Sequence, residues 1–328
     1  MWRELFLLTG PALAAAVLSA ISCAILMRRR DRLPHDAPNA RSLHRSPVPR
    51  VGGLVLWSGF APVAAWWTGL PGGVFTWIGW CLLLVVSLAD DYRHLPAALR
   101  LLVHAVAALI AAWGVAHAAQ APDAIGLGLI ALAIAWSANA FNFMDGSDGL
   151  AAIMTITGFT AYAMAAGTHD HGATYAALAA ATVPFALVNA PPARMFLGDG
   201  GAVPIGYLAA TCGIAGALDG VWPVWFPLLV FLPFWADATV TLARRLWRRE
   251  RVWQAHREHY YQRLHQLGGG HRGTLAAYAA LMIGTATTAL VLLAFAAQWG
   301  GPAVLAWCAV LAVIYSRIDY HWDRRERI

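Results

Sequence analysis

The chain has no lysine: all 23 basic residues are arginine, and only 12% of its 328 residues are charged. Soluble domains carry about 25% charged residues, so this scarcity excludes an ordinary water-soluble fold. Only four cysteines occur, Cys23, Cys81, Cys212 and Cys308, all within apolar stretches and without metal-like spacing. They are expected to be small buried packing residues. No hydrophilic stretch is long enough for a soluble domain, and no HExxH or EF-hand pattern occurs. An internal repeat of the kind that marks many transporters is also missing.

What remains is oil. Hydrophobic residues make up 59% of the chain and its mean hydropathy is +0.57. Eleven apolar spans can be drawn, at 5–27, 51–70, 74–89, 99–117, 125–141, 150–167, 173–189, 202–218, 222–242, 274–297 and 303–316. Backbone polar groups find no water in lipid, and period-2 alternation is absent, so the spans are expected to be helices. The predicted fold is therefore an all-α polytopic membrane bundle of about eleven helices, a single transmembrane domain over 1–328. Threading the spans alternately puts 22 of the 23 arginines on one side, with Arg3 alone opposite. The positive-inside rule makes that side cytoplasmic, the N-terminus periplasmic and the C-terminus cytoplasmic. The cytoplasmic loops then fall at about 28–50, 90–98, 142–149, 190–201 and 243–273. The net charge of +6 is read as topogenic, attracting membrane lipids rather than nucleic acid. The first span, followed by Arg28-Arg29-Arg30, reads as retained rather than cleaved. Trp66, Trp67, Trp77, Trp80, Trp222 and Trp225 lie near span ends, where indoles favour the headgroup region.

Five polar motifs interrupt the spans, and all five fall on the arginine-rich side: 42–53 (SLHRSPVPRVGG), 90–94 (DDYRH), 139–150 (NAFNFMDGSDGL), 196–201 (FLGDGG) and 256–264 (HREHYYQRL). The carboxylates of Asp90 and Asp91 are costly at a membrane boundary unless a cation, a neighbour such as Arg93, His94 or Arg100, or a shared proton holds them. Asn142, Asp145 and Asp148 recur every three residues among glycines and are expected to aim into one pocket. Asp199, flanked by glycines before a helix, suits a Mg²⁺ ligand beside an anion-binding helix N-terminus. His256 and His259 would share a helical face beside Arg257 and Arg263, which suits a diphosphate clamp or an anionic-lipid contact. Arg45 and Arg50 stand in a proline-rich basic loop. Asp237, inside the ninth span, is either a functional group or a partner of Arg244 or Arg245.

The order and spacing of these motifs resemble the polyprenyl-phosphate N-acetylhexosamine-1-phosphate transferase family, from about Ser42 to Leu264. The resemblance implies a bacterial inner-membrane enzyme with its active site facing the cytoplasm. It would transfer a sugar 1-phosphate from a UDP-N-acetylhexosamine to undecaprenyl phosphate, with Mg²⁺ (or Mn²⁺ in its place) and loss of UMP. Asp90 and Asp91 match the paired catalytic aspartates, Asp199 and Asn142 the metal-binding positions, and Asp145 and Asp148 the acidic pair of NxxDGxDGL. His256, Arg257, His259 and Arg263 match the histidine-rich last loop, with Arg45, Arg50, Arg93 and His94 as diphosphate partners. The lysine used near the diphosphate in some branches has no counterpart. HREH replaces the histidine triplet of the peptidoglycan branch, so the surface-polysaccharide (O-antigen) branch is favoured over a phospho-N-acetylmuramoyl-pentapeptide transferase. A homodimer is compatible with this reading. An anionic-solute transporter, the alternative of another class, requires charges near the bilayer midplane, where only Asp237 lies.

Overall fold

The computed structural model describes residues 2–36, 47–93, 95–119, 123–168, 171–251 and 256–326. It is a helical bundle. The helices are α1 (Trp2–Arg28), α2 (Gly52–Val63), α3 (Val74–Arg93), α4 (Ala97–Ala118), α5 (Ala124–Met144), α6 (Leu150–Ala166) and α7 (Gly172–Asn189). They continue as α8 (Asp199–Leu218), α9 (Trp225–Val230), α10 (Leu232–Trp247), α11 (Tyr260–Leu264), α12 (Gly270–Phe295) and α13 (Gly300–Glu326). Two short strands, β1 (His35–Asp36) and β2 (Val48–Pro49), pair antiparallel beside the arginine loop.

Eight of the described helices are long and apolar enough to cross a membrane. Each expected span coincides with helix, but α2 has only 12 residues before a π-helical turn at Ala64–Thr68. The ninth span is broken into α9 and α10 at Phe231, with Pro233 in the first turn of the second piece. Proline has no N–H to continue a ladder, so it restarts the helix there. The last helix runs well past 316, to Glu326, and that extension carries Asp319 back towards the polar loops.

Helix α8 forms the centre, with nearly all of its residues buried. Glycine makes this possible: a side-chain carbon on Gly53 would lie 2.6 Å from the Gly201 nitrogen, so the starts of α2 and α8 touch backbone to backbone. Helix α1 belongs to the same bundle, its buried Ser19 hydroxyl donating to the Val55 and Ala181 carbonyls at 3.1 and 2.6 Å. An aromatic cluster of Tyr162, Trp222, Phe226 and Phe231 packs at the opposite end from the polar motifs. Two expectations need correction here. Trp80 and Trp222 are buried rather than interfacial, the Trp222 indole donating to the Gly213 carbonyl at 2.9 Å, whereas Trp66 is 95% exposed. Of the cysteines, Cys23 and Cys212 are buried as packing residues, but Cys81 and Cys308 are exposed on the bundle's outer surface.

Candidate active site

The site is assembled where β2 runs alongside the segment before α8. The Phe196 amide donates to the Pro49 carbonyl at 2.8 Å, and the Gly52 and Gly53 amides donate to the Phe196 and Leu197 carbonyls at 2.8 and 2.9 Å. This strand-like tie delivers Arg50 to the start of α8. Its guanidinium lies 3.2 Å from Asp91 and also pairs with Asp199. Burial works against the Arg50 charge, but Asp199 and Asp91 outweigh it and hold the group above its ordinary pKa.

Gly198, at φ +79°, takes a left-handed conformation that lets the chain turn into α8. The Asp199 and Gly200 amides then donate to the Asp91 carboxylate at 3.2 and 3.1 Å. The anion that the sequence led us to expect at this helix N-terminus is thus a protein side chain, Asp91.

Asp90 turns the other way. It accepts from the Leu95 amide and from Arg100, both at 2.6 Å, while Arg100 also stands 3.7 Å from Asp199. Asp90 and Arg100 are equidistant in sequence from Leu95, the tip of the α3–α4 hairpin. Pro96 opens the second arm, since a residue before proline avoids helix. That hairpin symmetry was the available signal for Arg100, which the motif reading named as a neighbour of the aspartates and left out of the site. Arg93 is exposed at the end of α3, and Arg45 and His94 lie outside the described residues.

From α5, Asp145 enters the same cluster. Burial raises its pKa well above the carboxylate range; Arg50 opposes that rise, while Asp199 and Asp91 add to it. Asp148, expected in the same pocket, does something else. Its carboxylate accepts from the Ala193 amide at 2.9 Å and lies 3.4 Å from His271. Ser147 and the Asp148 amide also meet the His271 Nδ1, each at 3.2 Å. Asn189 braces this side, accepting from the Gly149 amide and donating to the Met195 carbonyl, both at 2.8 Å. A single Asn closing an apolar span gave no chemical pattern to read. Asn142 sits, partly buried, in the last turn of α5.

The last polar loop docks onto α5. The Tyr261 hydroxyl donates to the Phe143 carbonyl at 3.0 Å, and His259 stacks on Phe143 with ring centroids 5.7 Å apart. His256 and His259 were expected on one helical face. They are not in a helix: α11 begins at Tyr260, with His259 in extended geometry. Their rings nonetheless lie close, with centroids 4.9 Å apart and a tilt of 33°. Asp237 is wholly buried and does not pair with Arg244 or Arg245; it faces His259 at 3.2 Å. Arg244 instead pairs with Asp319, and Arg245 with Glu250 at 2.7 Å. Arg263 is committed to Asp319 at 2.7 Å and to the Glu258 carbonyl at 3.1 Å, so it buttresses the loop rather than opening towards a ligand. Arg257 is partly buried beside these residues.

The cluster at the end of the bundle therefore sets four carboxylates, Asp90, Asp91, Asp145 and Asp199, against two guanidiniums, Arg50 and Arg100. Among the described residues, no three acidic, histidine or cysteine side chains come together as a ready-made metal cage. The excess of hard oxygen donors still fits Mg²⁺, which takes one or two carboxylates and completes its shell with phosphate and water.

Residues 74–217, which carry the DDYRH, NxxDGxDGL and FLGD motifs, match the Glycosyl transferase family 4 domain. The chain is 26% identical to a probable undecaprenyl-phosphate N-acetylglucosaminyl 1-phosphate transferase of Bacillus subtilis, over 72% of this chain and 71% of that one. It is 27% identical to the decaprenyl-phosphate N-acetylglucosaminephosphotransferase of Mycobacterium tuberculosis, over 82% and 78%. A phospho-N-acetylmuramoyl-pentapeptide-transferase of Granulibacter bethesdensis is 28% identical over 65% and 67%. The three motifs in the matched segment meet at one end of the bundle, and along most of its length the chain is similar to polyprenyl-phosphate N-acetylhexosamine-1-phosphate transferases.

Proposed function

We propose that this protein transfers an N-acetylhexosamine 1-phosphate from a UDP-sugar to undecaprenyl phosphate and releases UMP. The reaction would be the first membrane step of O-antigen or other surface-polysaccharide synthesis. The observation that carries this reading is the meeting of Asp91, Asp199 and Asp145 around Arg50, with Arg100 bridging Asp90 and Asp199. An oxygen of the lipid phosphate attacks the phosphorus that bears the sugar. A new P–O bond forms as the bond to UMP breaks, and the electron pair leaves on UMP. Two polyanions must approach each other, so neutralising and aligning them supplies most of the rate.

Arg50 and Arg100 are anchored on one side by carboxylates and can pair phosphate oxygens on the other. Asp91, held by two amides, fixes Arg50; Asp90, held at the α3–α4 turn, fixes Arg100. Either carboxylate can orient the acceptor phosphate or keep it deprotonated. Asp199 and Asp145, with Asn142, would hold Mg²⁺, which when bound neutralises the diphosphate. His259 and His256 close the site from the last loop as diphosphate ligands. The HREH sequence favours a donor without the muramoyl peptide. The bundle is read with its N-terminus periplasmic and this site at the cytoplasmic face of the inner membrane, in line with the arginine distribution.

The test is UMP release by purified protein given undecaprenyl phosphate, Mg²⁺ and a panel of UDP-sugars. Turnover with UDP-N-acetylglucosamine-type donors is expected. Turnover only with UDP-muramoyl-pentapeptide would move the protein to the peptidoglycan branch, and none with any donor would end the proposal.

A further inference from the structure

Asp237 is a buried ionisable group that the transfer reaction does not use. It lies on α10, is 0% exposed, and meets five donors. The Tyr260 and Tyr261 amides, the first two of α11, donate to its two oxygens at 3.0 Å each. The Thr241 hydroxyl approaches at 3.2 Å, the Tyr278 hydroxyl of α12 donates to the second oxygen, and His259 Nδ1 stands 3.2 Å from the first. An ionised carboxylate only accepts, so each of these contacts brings a hydrogen to Asp237, including the one at Nδ1. Nε2 is then the only ring nitrogen of His259 left for other work.

The ring has little freedom to turn. His259 lies between Phe143 at 5.7 Å and 26° and Tyr261 at 5.9 Å and 21°, with His256 at 4.9 Å. Its backbone amide is taken by the Gln262 side chain at 3.2 Å. Elements from two distant places in the sequence, α5 through Phe143 and α10 through Asp237, thus converge on one imidazole, and α12 braces the carboxylate through Tyr278. A carboxylate that only anchored α11 would need the two amides and no histidine.

We propose that Asp237 is a positioning residue for substrate binding: it fixes the Nδ1-protonated form and the orientation of His259, so that Nε2 faces the diphosphate of the nucleotide-sugar. This rests on the role given to His259 in the proposed function. Misplacing a binding group by about 1 Å costs on the order of 10²-fold. Asp237→Asn is therefore expected to raise the KM for the UDP-sugar by about 10- to 100-fold with a smaller change in kcat.

The experiment combines kinetics with ¹⁵N spectra of histidine-labelled protein in detergent, the His259 ring signals being those lost in His259→Gln. Expected are a protonated Nδ1 in the wild type, a changed tautomer mixture in Asp237→Asn, and a raised KM in both variants. An unprotonated Nδ1 in the wild type overturns the inference, and that measurement stands even where Asp237→Asn does not fold. So does a folded Asp237→Asn with wild-type KM. Tyr278→Phe, which keeps the carboxylate, should preserve the protonated Nδ1; its loss there would assign the tautomer to the tyrosine instead. UMP release by the wild type tests the functional reading separately, so failure of one is distinguishable from failure of the other.

Discussion

The hydroxyl of Tyr261 donates to the carbonyl of Phe143 at 3.0 Å, fastening the last polar loop to the fifth helix between Asn142 and Asp145. The same hydroxyl sits where any side chain on Gly146 would have to go. Gly146→Ala should push the loop off α5, destabilise the protein by about 1–3 kcal/mol and lower UMP release. Tyr261→Phe in the same chain removes the clashing oxygen and should recover part of both. Thermal unfolding and turnover of the two single variants and the double variant check this, as a coupling that simple addition cannot give.

Asp91 and Asp199 share Arg50. Asp91→Asn keeps an acceptor for the α8 amides but weakens the pairing with the arginine, and Asp199→Ala removes the other partner. Each should reduce turnover by about 10²-fold or more while the helical circular dichroism is retained. Full activity in either variant would remove that carboxylate from the chemistry.

Burial, with His259 and Arg245 beside it, pushes His256 from an ordinary pKa of 6.5 down to about 4. The unfolded chain then takes up a proton at His256 below about 6.5, whereas the folded protein resists until about 4. This contribution to stability is fully present above about pH 6.5 and is lost as pH falls towards 4. Melting temperatures measured across that window should fall less steeply in His256→Gln than in the wild type.

Asp319 receives Arg263 at 2.7 Å and also holds Arg244, two cations that brace the last loop. Removing it leaves the buried Arg263 guanidinium short of a partner, a cost of about 1–3 kcal/mol. Asp319→Ala should lower the melting temperature and raise protease sensitivity near 256–264. A change in turnover without any change in stability would argue against a bracing role.

Chelation offers a check independent of mutation. The four carboxylates around two guanidiniums leave negative charge unbalanced, so EDTA should abolish UMP release and added Mg²⁺ should restore it. Retained turnover after exhaustive chelation would remove the metal from the scheme.

The helical, polytopic character was legible because lipid demands long apolar helices, and eight of the described helices are long and apolar enough to cross a membrane. The break at Phe231 was not, since Pro233 also fits a continuous apolar run. Arg50, Asp91 and Asp199 could be named as chemistry-bearing residues because charge at the edge of an oily segment needs a reason. Their partners could not: nothing in the motif around Asp148 says that it turns to Ala193 and His271 while Asp145 turns to Arg50. The equal spacing of Asn142, Asp145 and Asp148 suggested a common pocket, but α5 ends at Met144, so Asp145 and Asp148 lie in the turn that follows and not on one helical face. Asp237 was visible as an anomaly in its span, yet its partner lies 22 residues on, beyond a loop.

The tie between β2 and the start of α8 has a bearing on biosynthesis. Arg50 and Asp199 are separated by 149 positions. At about 5–20 residues per second, the arginine waits at least about 7 s for its counterpart to leave the ribosome. Until then Asp91 stands in a half-built protein with no helix start to receive it. The candidate site is therefore among the later parts of the molecule to mature, and a nascent chain stalled before Asp199 would have apolar helices but only half of the charge cluster.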